Sequence, residues 1–187
     1  ALNTLLMTLG IISEPMQTMG ISIQNPKEVV SQVMALSSCH PNLVQYLCQG
    51  LILEANSRHS RQVTPADLGQ VRHSSSFHEY FLEVTWGHTT ALEQAITIVI
   101  ADHDRVTLSE VQRLLADHGF DVSQDQLEKA ISGLRLYNIL FKEGQQYAFA
   151  SGAFAEVVRE SLEVDILLDT LRSDMQEQTA RGDWRLQ

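Results

Sequence analysis

A four-residue start signal recurs along this chain and restricts it to short helices that begin at defined places. Asn25-Pro26-Lys27-Glu28 offers an N-cap, proline at the first helical position and Glu at the third. Thr64-Pro65-Ala66-Asp67 repeats the device with Asp, and Thr107-Leu108-Ser109-Glu110 and Ser123-Gln124-Asp125-Gln126 are further capping boxes. Apolar residues at helical spacing follow each signal: Val29, Val30, Val33 and Met34; Val111, Leu114 and Leu115; Leu127, Ala130, Ile131 and Leu134. Ahead of them, Leu2, Leu5, Leu6, Leu9 and Ile12 share one helical face, which Pro15 and Gly20 are expected to close. All four prolines lie at or before Pro65, and Pro41 after His40 suits the first turn of another helix.

The expected fold is therefore mainly α. Residues 1–73 read as a four-helix bundle. The polar SSSFHEYF run from Ser74 marks a boundary or hinge. In 74–160, a helix on Leu92, Ala95, Ile96, Val99 and Ile100 precedes the two capped helices. Ile139-Leu140-Phe141, a turn at Glu143-Gly144 and Tyr147-Ala148-Phe149 then make a hairpin. Three helices followed by a hairpin is the order of a winged helix. Residues 161–187 form a C-terminal helix, with Leu167, Leu168, Leu171 and Met175 as its apolar stripe and a frayed end, TARGDWRLQ.

Several chemistries fail on spacing. Cys39 and Cys48 stand eight residues apart, with His40 beside the first, whereas zinc sites use tighter pairs. The remaining histidines (His59, His73, His78, His88, His103, His118) do not pair at helical spacing, so no metal is expected. At ~1.5 Å rise per residue the two cysteines lie roughly 13 Å apart along the axis, beyond disulfide reach. Cys48 instead falls on the apolar face with Leu43, Val44, Leu47, Leu51 and Ile52. The chain contains no G-x-S-x-G, H-E-x-x-H or G-x-x-x-x-G-K-[ST]. Asp102, His103 and Asp104 read as solvated residues near a helix start. No catalytic residue is expected.

Two cysteines form no disulfide framework, which suits a reducing cytoplasm, and no apolar run is long enough for a membrane span. The first residues lack the basic segment of a signal peptide, and a start at Ala running straight into a helical pattern reads as a piece of something longer. The formal net charge of −10 opposes phosphate backbones unless cations are concentrated on one face.

The stretches LGIISEPMQTMGISI, KEVVSQVMALSSCHPNLVQYLCQGLILEAN and QVTPADL resemble the helical lid of AAA+-like signalling ATPases of the STAND class. In that family a Gly-His-Pro-type turn opens a helix of the form hPxLhQxLCxxLh, and a winged helix often follows. The resemblance covers residues 1 to 160. It implies that His40 and Pro41 face a nucleotide held by an ATPase core that this chain lacks, so that ATP and Mg²⁺ belong to the parent protein. Cys39 stands where such turns usually carry glycine, and its Cβ makes a positive φ costly.

What a winged helix would contact is read from its charge. The outward face of the third helix offers Asp125, Glu128, Lys129, Ser132 and Arg135, and the wing offers Lys142 and Glu143. Over 81–160, twelve carboxylates oppose six cations, the wrong sign for phosphate neutralisation. The expected role is a non-catalytic relay working through protein contacts, with Lys129, Ser132, Arg135 and Lys142 as its surface. Its partner would be the ATPase core, an effector, or a second copy meeting the Leu167, Leu168, Leu171 and Met175 stripe. A DNA-binding regulator or replication-initiator-like module is the alternative.

Overall fold

A computed structural model describes residues 12–161 and 163–180. It is mainly helical with small sheets. The described residues divide into two compact units, one ending at Val84 and the other beginning at Thr85. Among them, no helix is long and apolar enough to cross a membrane.

The first unit holds α1 (residues 12–18), β1 (Ser22–Ile23), α2 (Pro26–Ser37), α3 (Pro41–Ser57), β2 (Gln62–Val63), α4 (Pro65–Arg72) and most of α5 (Ser75–Trp86). Pro15 does not close α1. Its carbonyl accepts from the Met19 N–H at 3.1 Å, and the stop comes at Gly20, with φ +71°. The expected stripe at Leu2, Leu5, Leu6 and Leu9 lies outside the described residues. Thr64 and Asp67 form a full capping box, and Asp67 is buried with an Arg58 ion pair at 2.6 Å. Asn25 does not repeat it. Its backbone is left-handed at φ 49°, and its side chain reaches the Glu28 carboxylate rather than a backbone N–H.

Two features correct the expected plan for this half. β1 and β2 pair in parallel, Ser22 with Gln62 and Ile23 with Val63. The SSSFHEYF stretch is no hinge: it opens α5, where the Ser74 hydroxyl accepts from the Phe77 N–H at 3.2 Å. Phe77 and Phe81 are buried, and Phe77 packs 6.1 Å from the Tyr46 ring on α3. That aromatic contact draws the division between units past residue 73 to 84/85.

The second unit runs α6 (Ala91–Val99), β3 (Val106–Thr107), α7 (Leu108–Asp117), α8 (Gln124–Leu136), β4 (Leu140–Glu143), β5 (Gln146–Phe149), α9 (Gly152–Ser161) and α10 (Val164–Ala180). Capping boxes at Thr107 and Ser123 open α7 and α8, and a third, Thr90 with Glu93, opens α6. β4 and β5 form an antiparallel hairpin around Gly144-Gln145, with Glu143 opposite Gln146. β3 joins the other side of β5, giving the order β3-β5-β4.

The core takes Ala95, Ile96, Val111, Leu115, Leu127, Ile131, Leu134 and Leu140. α10 is not a separate element. It packs on α6, and Leu168 and Leu171 are buried there, so the stripe assigned to self-association is largely covered by the chain's own helix. The closing RGDWRLQ lies outside the described residues.

Candidate functional site

The start of α7, the outward face of α8 and the β4–β5 hairpin enclose a polar groove of about 670 Å³ in the second unit. Ser132, Arg135 and Lys142 line it, so three of the four surface residues expected from sequence meet at one place. Lys129 is exposed on α8 but does not line the groove. The groove also contains a carboxylate. Glu128 accepts from Gln124 Nε2 at 2.9 Å, and Ser132 donates its hydroxyl to the Glu128 carbonyl at 2.7 Å. Lys142 Nζ sits 5.5 Å from the Tyr147 ring centroid, within cation–π range. At the rim, hydrogen bonds from the Thr107 backbone and hydroxyl hold the Glu110 carboxyl below its ordinary pKa, so it stays ionised there.

The charge state of the groove follows from what each cation already touches. Arg105 pairs with Glu143, Arg113 with Asp117 and Arg172 with Asp169, while Arg159 donates to the Ala155 carbonyl. Lys129, Arg135 and Lys142 have no carboxylate partner among the described residues. All three stand on α8 or β4. Beside them three apolar side chains are left in solvent at the α8–β4 corner: Leu136 at 80%, Tyr137 at 46% and Phe141 at 42% exposure. Sequence reasoning passed over these. The signal for Leu136 was present, since it falls off the inward stripe of Leu127, Ala130, Ile131 and Leu134.

The His40-Pro41 turn lies in the first unit. His40 is the N-cap of α3 and Pro41 its first residue, as the spacing predicts. The preceding turn is left-handed at two successive non-glycine residues, Ser38 (φ 47°) and Cys39 (φ 63°). A cysteine thus occupies the conformation for which glycine was expected. The turn is held by the buried Ser37, whose carbonyl accepts from His40 N–H at 2.8 Å and whose hydroxyl accepts from Cys39 N–H at 3.2 Å.

Pro41 borders a groove of about 540 Å³ whose other walls include Met16, Met34, Cys39, Val44 and Cys48. The walls are mainly apolar and sulfur-bearing, and His40 is exposed outside them. Burial pushes the Cys48 thiol up to about 11. Among the described residues no group of histidine, cysteine and carboxylate side chains could hold a metal ion.

No family model matches this chain, and no curated protein or solved structure matches it.

Proposed function

We propose that this chain is the non-catalytic regulatory portion of a STAND-type ATP-dependent signalling protein. In this reading the first unit is the lid-like bundle and the second a winged helix, with β4 and β5 as the wing and α8 as its third helix. The chain relays nucleotide state by protein contacts, and ATP and Mg²⁺ are held by an ATPase core outside it. His40 and Pro41 are the positions turned toward that nucleotide. The order α6-β3-α7-α8-β4-β5, with β3 closing the sheet beside β5, supports the winged helix.

The observation that carries the choice of protein over DNA is the first half of α8. In helix-turn-helix readers the N-terminal residues of the recognition helix meet base edges between two phosphate backbones. Here those positions hold Gln124, Asp125 and Glu128, with Asp125 and Glu128 exposed. Two carboxylates in that place repel phosphate, and phosphate contacts supply most non-specific affinity.

The second reading, a winged-helix DNA-binding regulator or replication-initiator-like module, is favoured by Ser132, Arg135 and Lys142 meeting in one groove. One titration separates the two. The chain is mixed with random duplex at physiological salt, and its ATP turnover is measured in the same preparation. The relay expects duplex binding poorer than ~10⁻⁴ M, below the usual range for basic readers, and no turnover. Tight, steeply salt-dependent duplex binding would establish the DNA reader, and metal-dependent turnover would refute the non-catalytic assignment.

A further inference from the structure

We propose that the β4 side of the wing is a docking edge for an extended peptide segment in which acidic and apolar residues alternate. The proposal rests on reading the second unit as a protein-contact module and names the kind of partner.

Three observations converge on this edge. Among the described residues the sheet order β3-β5-β4 leaves β4 with a strand partner on one side only, so its outer backbone groups can accept a further strand. Along β4 the side chains alternate between faces. Lys142 shares a face with Tyr147 and lines the groove with Arg135, while Phe141, opposite Ala148, shows 42% exposure on the other face. Finally, Arg135 and Lys142 have no carboxylate partner among the described residues, although the chain carries a net charge of −10.

An added strand places its alternate residues on the same two faces as β4. Carboxylates on one face then meet Lys142 and Arg135, and apolar residues on the other meet Phe141. Duplex DNA matches only half of this surface. Its phosphates satisfy the cations, but along α8 they also face Asp125, which lies outside the groove, and they leave Phe141 in water, whereas Glu128 lines the groove and opposes either ligand. Lys142 and Glu143 would also serve to protect an edge from unwanted pairing. Edge protection alone accounts neither for the exposed Phe141 nor for the unpaired Arg135.

The test uses fluorescence anisotropy with the full chain and a labelled peptide of alternating Glu and Val. Three controls accompany it: Gln in place of Glu, the same composition in two blocks, and a duplex of random sequence. The alternating peptide is expected to bind. Binding should weaken about tenfold or more on replacing Glu by Gln, or in the Arg135→Glu, Lys142→Glu double variant. Phe141→Ser should weaken it several-fold without touching charge, and Arg135→Gln with Lys142→Gln repeats the charge test should the reversal unfold the chain. Equal binding of the block peptide, or binding unchanged in the charge variants, overturns the docking edge. Failure of both peptide and duplex to bind overturns this edge and leaves the relay standing. Duplex binding abolished by the double variant overturns both.

Discussion

Gly133 lies inside α8 at its closest approach to α6, and replacing it tests the packing of the second unit directly. A Cβ built there collides with Glu93 Oε1 and falls 3.0 Å from its carboxyl carbon. Glu93 cannot yield freely. It is buried, and its Oε2 accepts from the Thr90 N–H at 2.7 Å as half of the capping box that opens α6. Gly133→Ala therefore sets two effects against each other. Alanine gains about 1 kcal/mol over glycine within a helix. Displacing Glu93 forfeits a cap bond worth about 1 kcal/mol and adds overpacking strain of about 1–3 kcal/mol. The expected net is a destabilisation of about 1–3 kcal/mol. In a Glu93→Ala background the space is open and the cap bond already gone, so the same change should be neutral or stabilise by up to about 1 kcal/mol. Urea unfolding of the full chain, followed by tryptophan fluorescence, reads this unit through Trp86, whose ring packs edge-on 6.3 Å from that of Phe154. Equal effects of Gly133→Ala in the two backgrounds would refute the contact between Gly133 and Glu93.

Leu47, fully buried on α3, should cost about 2–5 kcal/mol when changed to alanine, while the exposed Asn42→Ala should cost well under 1 kcal/mol. Equal costs in a denaturant melt would mean that the buried face of α3 is misassigned. The two thiols should differ sharply toward an alkylating reagent near neutral pH. Cys39 is exposed and should label at once, whereas Cys48, its thiol raised to about 11 by burial, should label only after denaturation. Rapid modification of both thiols in the folded chain, counted by mass spectrometry, would contradict the half-buried position of Cys48.

Helix starts were legible because capping is local chemistry. Thr64, Thr107 and Ser123 each bond to the residue three places on, so four letters contain the whole interaction. Thr90-Ala91-Leu92-Glu93 carried the same signal and was missed, although its glutamate packs beside Gly133 in the core. The two-residue strands were not legible, because Ser22 meets Gln62 only after two helices have folded between them, and β3 is defined only by its pairing with β5. α5 was hidden by its serines: Phe77 and Phe81 stand four apart, a helical spacing, but Phe77 packs on Tyr46 of α3, far away in sequence, and Phe81 packs on Phe77. The left-handed Cys39 follows the same logic, since Ser37 supplies the hydrogen bonds that hold the turn.

The candidate surface shows why a charge count alone could not find it. Twelve carboxylates against six cations over residues 81–160 describe the field at a distance, and that field opposes a phosphate backbone. A bound segment meets only the charges that local pairing leaves over. Arg105, Arg113 and Arg172 are engaged by Glu143, Asp117 and Asp169. Among the described residues Lys129, Arg135 and Lys142 are left without a carboxylate partner, while Asp125 and Glu128 stay exposed on α8 and Phe141 is in solvent on the other face of β4. An acidic chain can thus gather unpaired cations beside one strand even while Asp125 and Glu128 stay exposed on the same helix. The sign of the proposed partner is read from those unpaired cations rather than from the total. Lys129, Ser132, Arg135 and Lys142 were legible as an outward surface, but only the folded chain shows that Ser132, Arg135 and Lys142 share a groove from which Lys129 is left out.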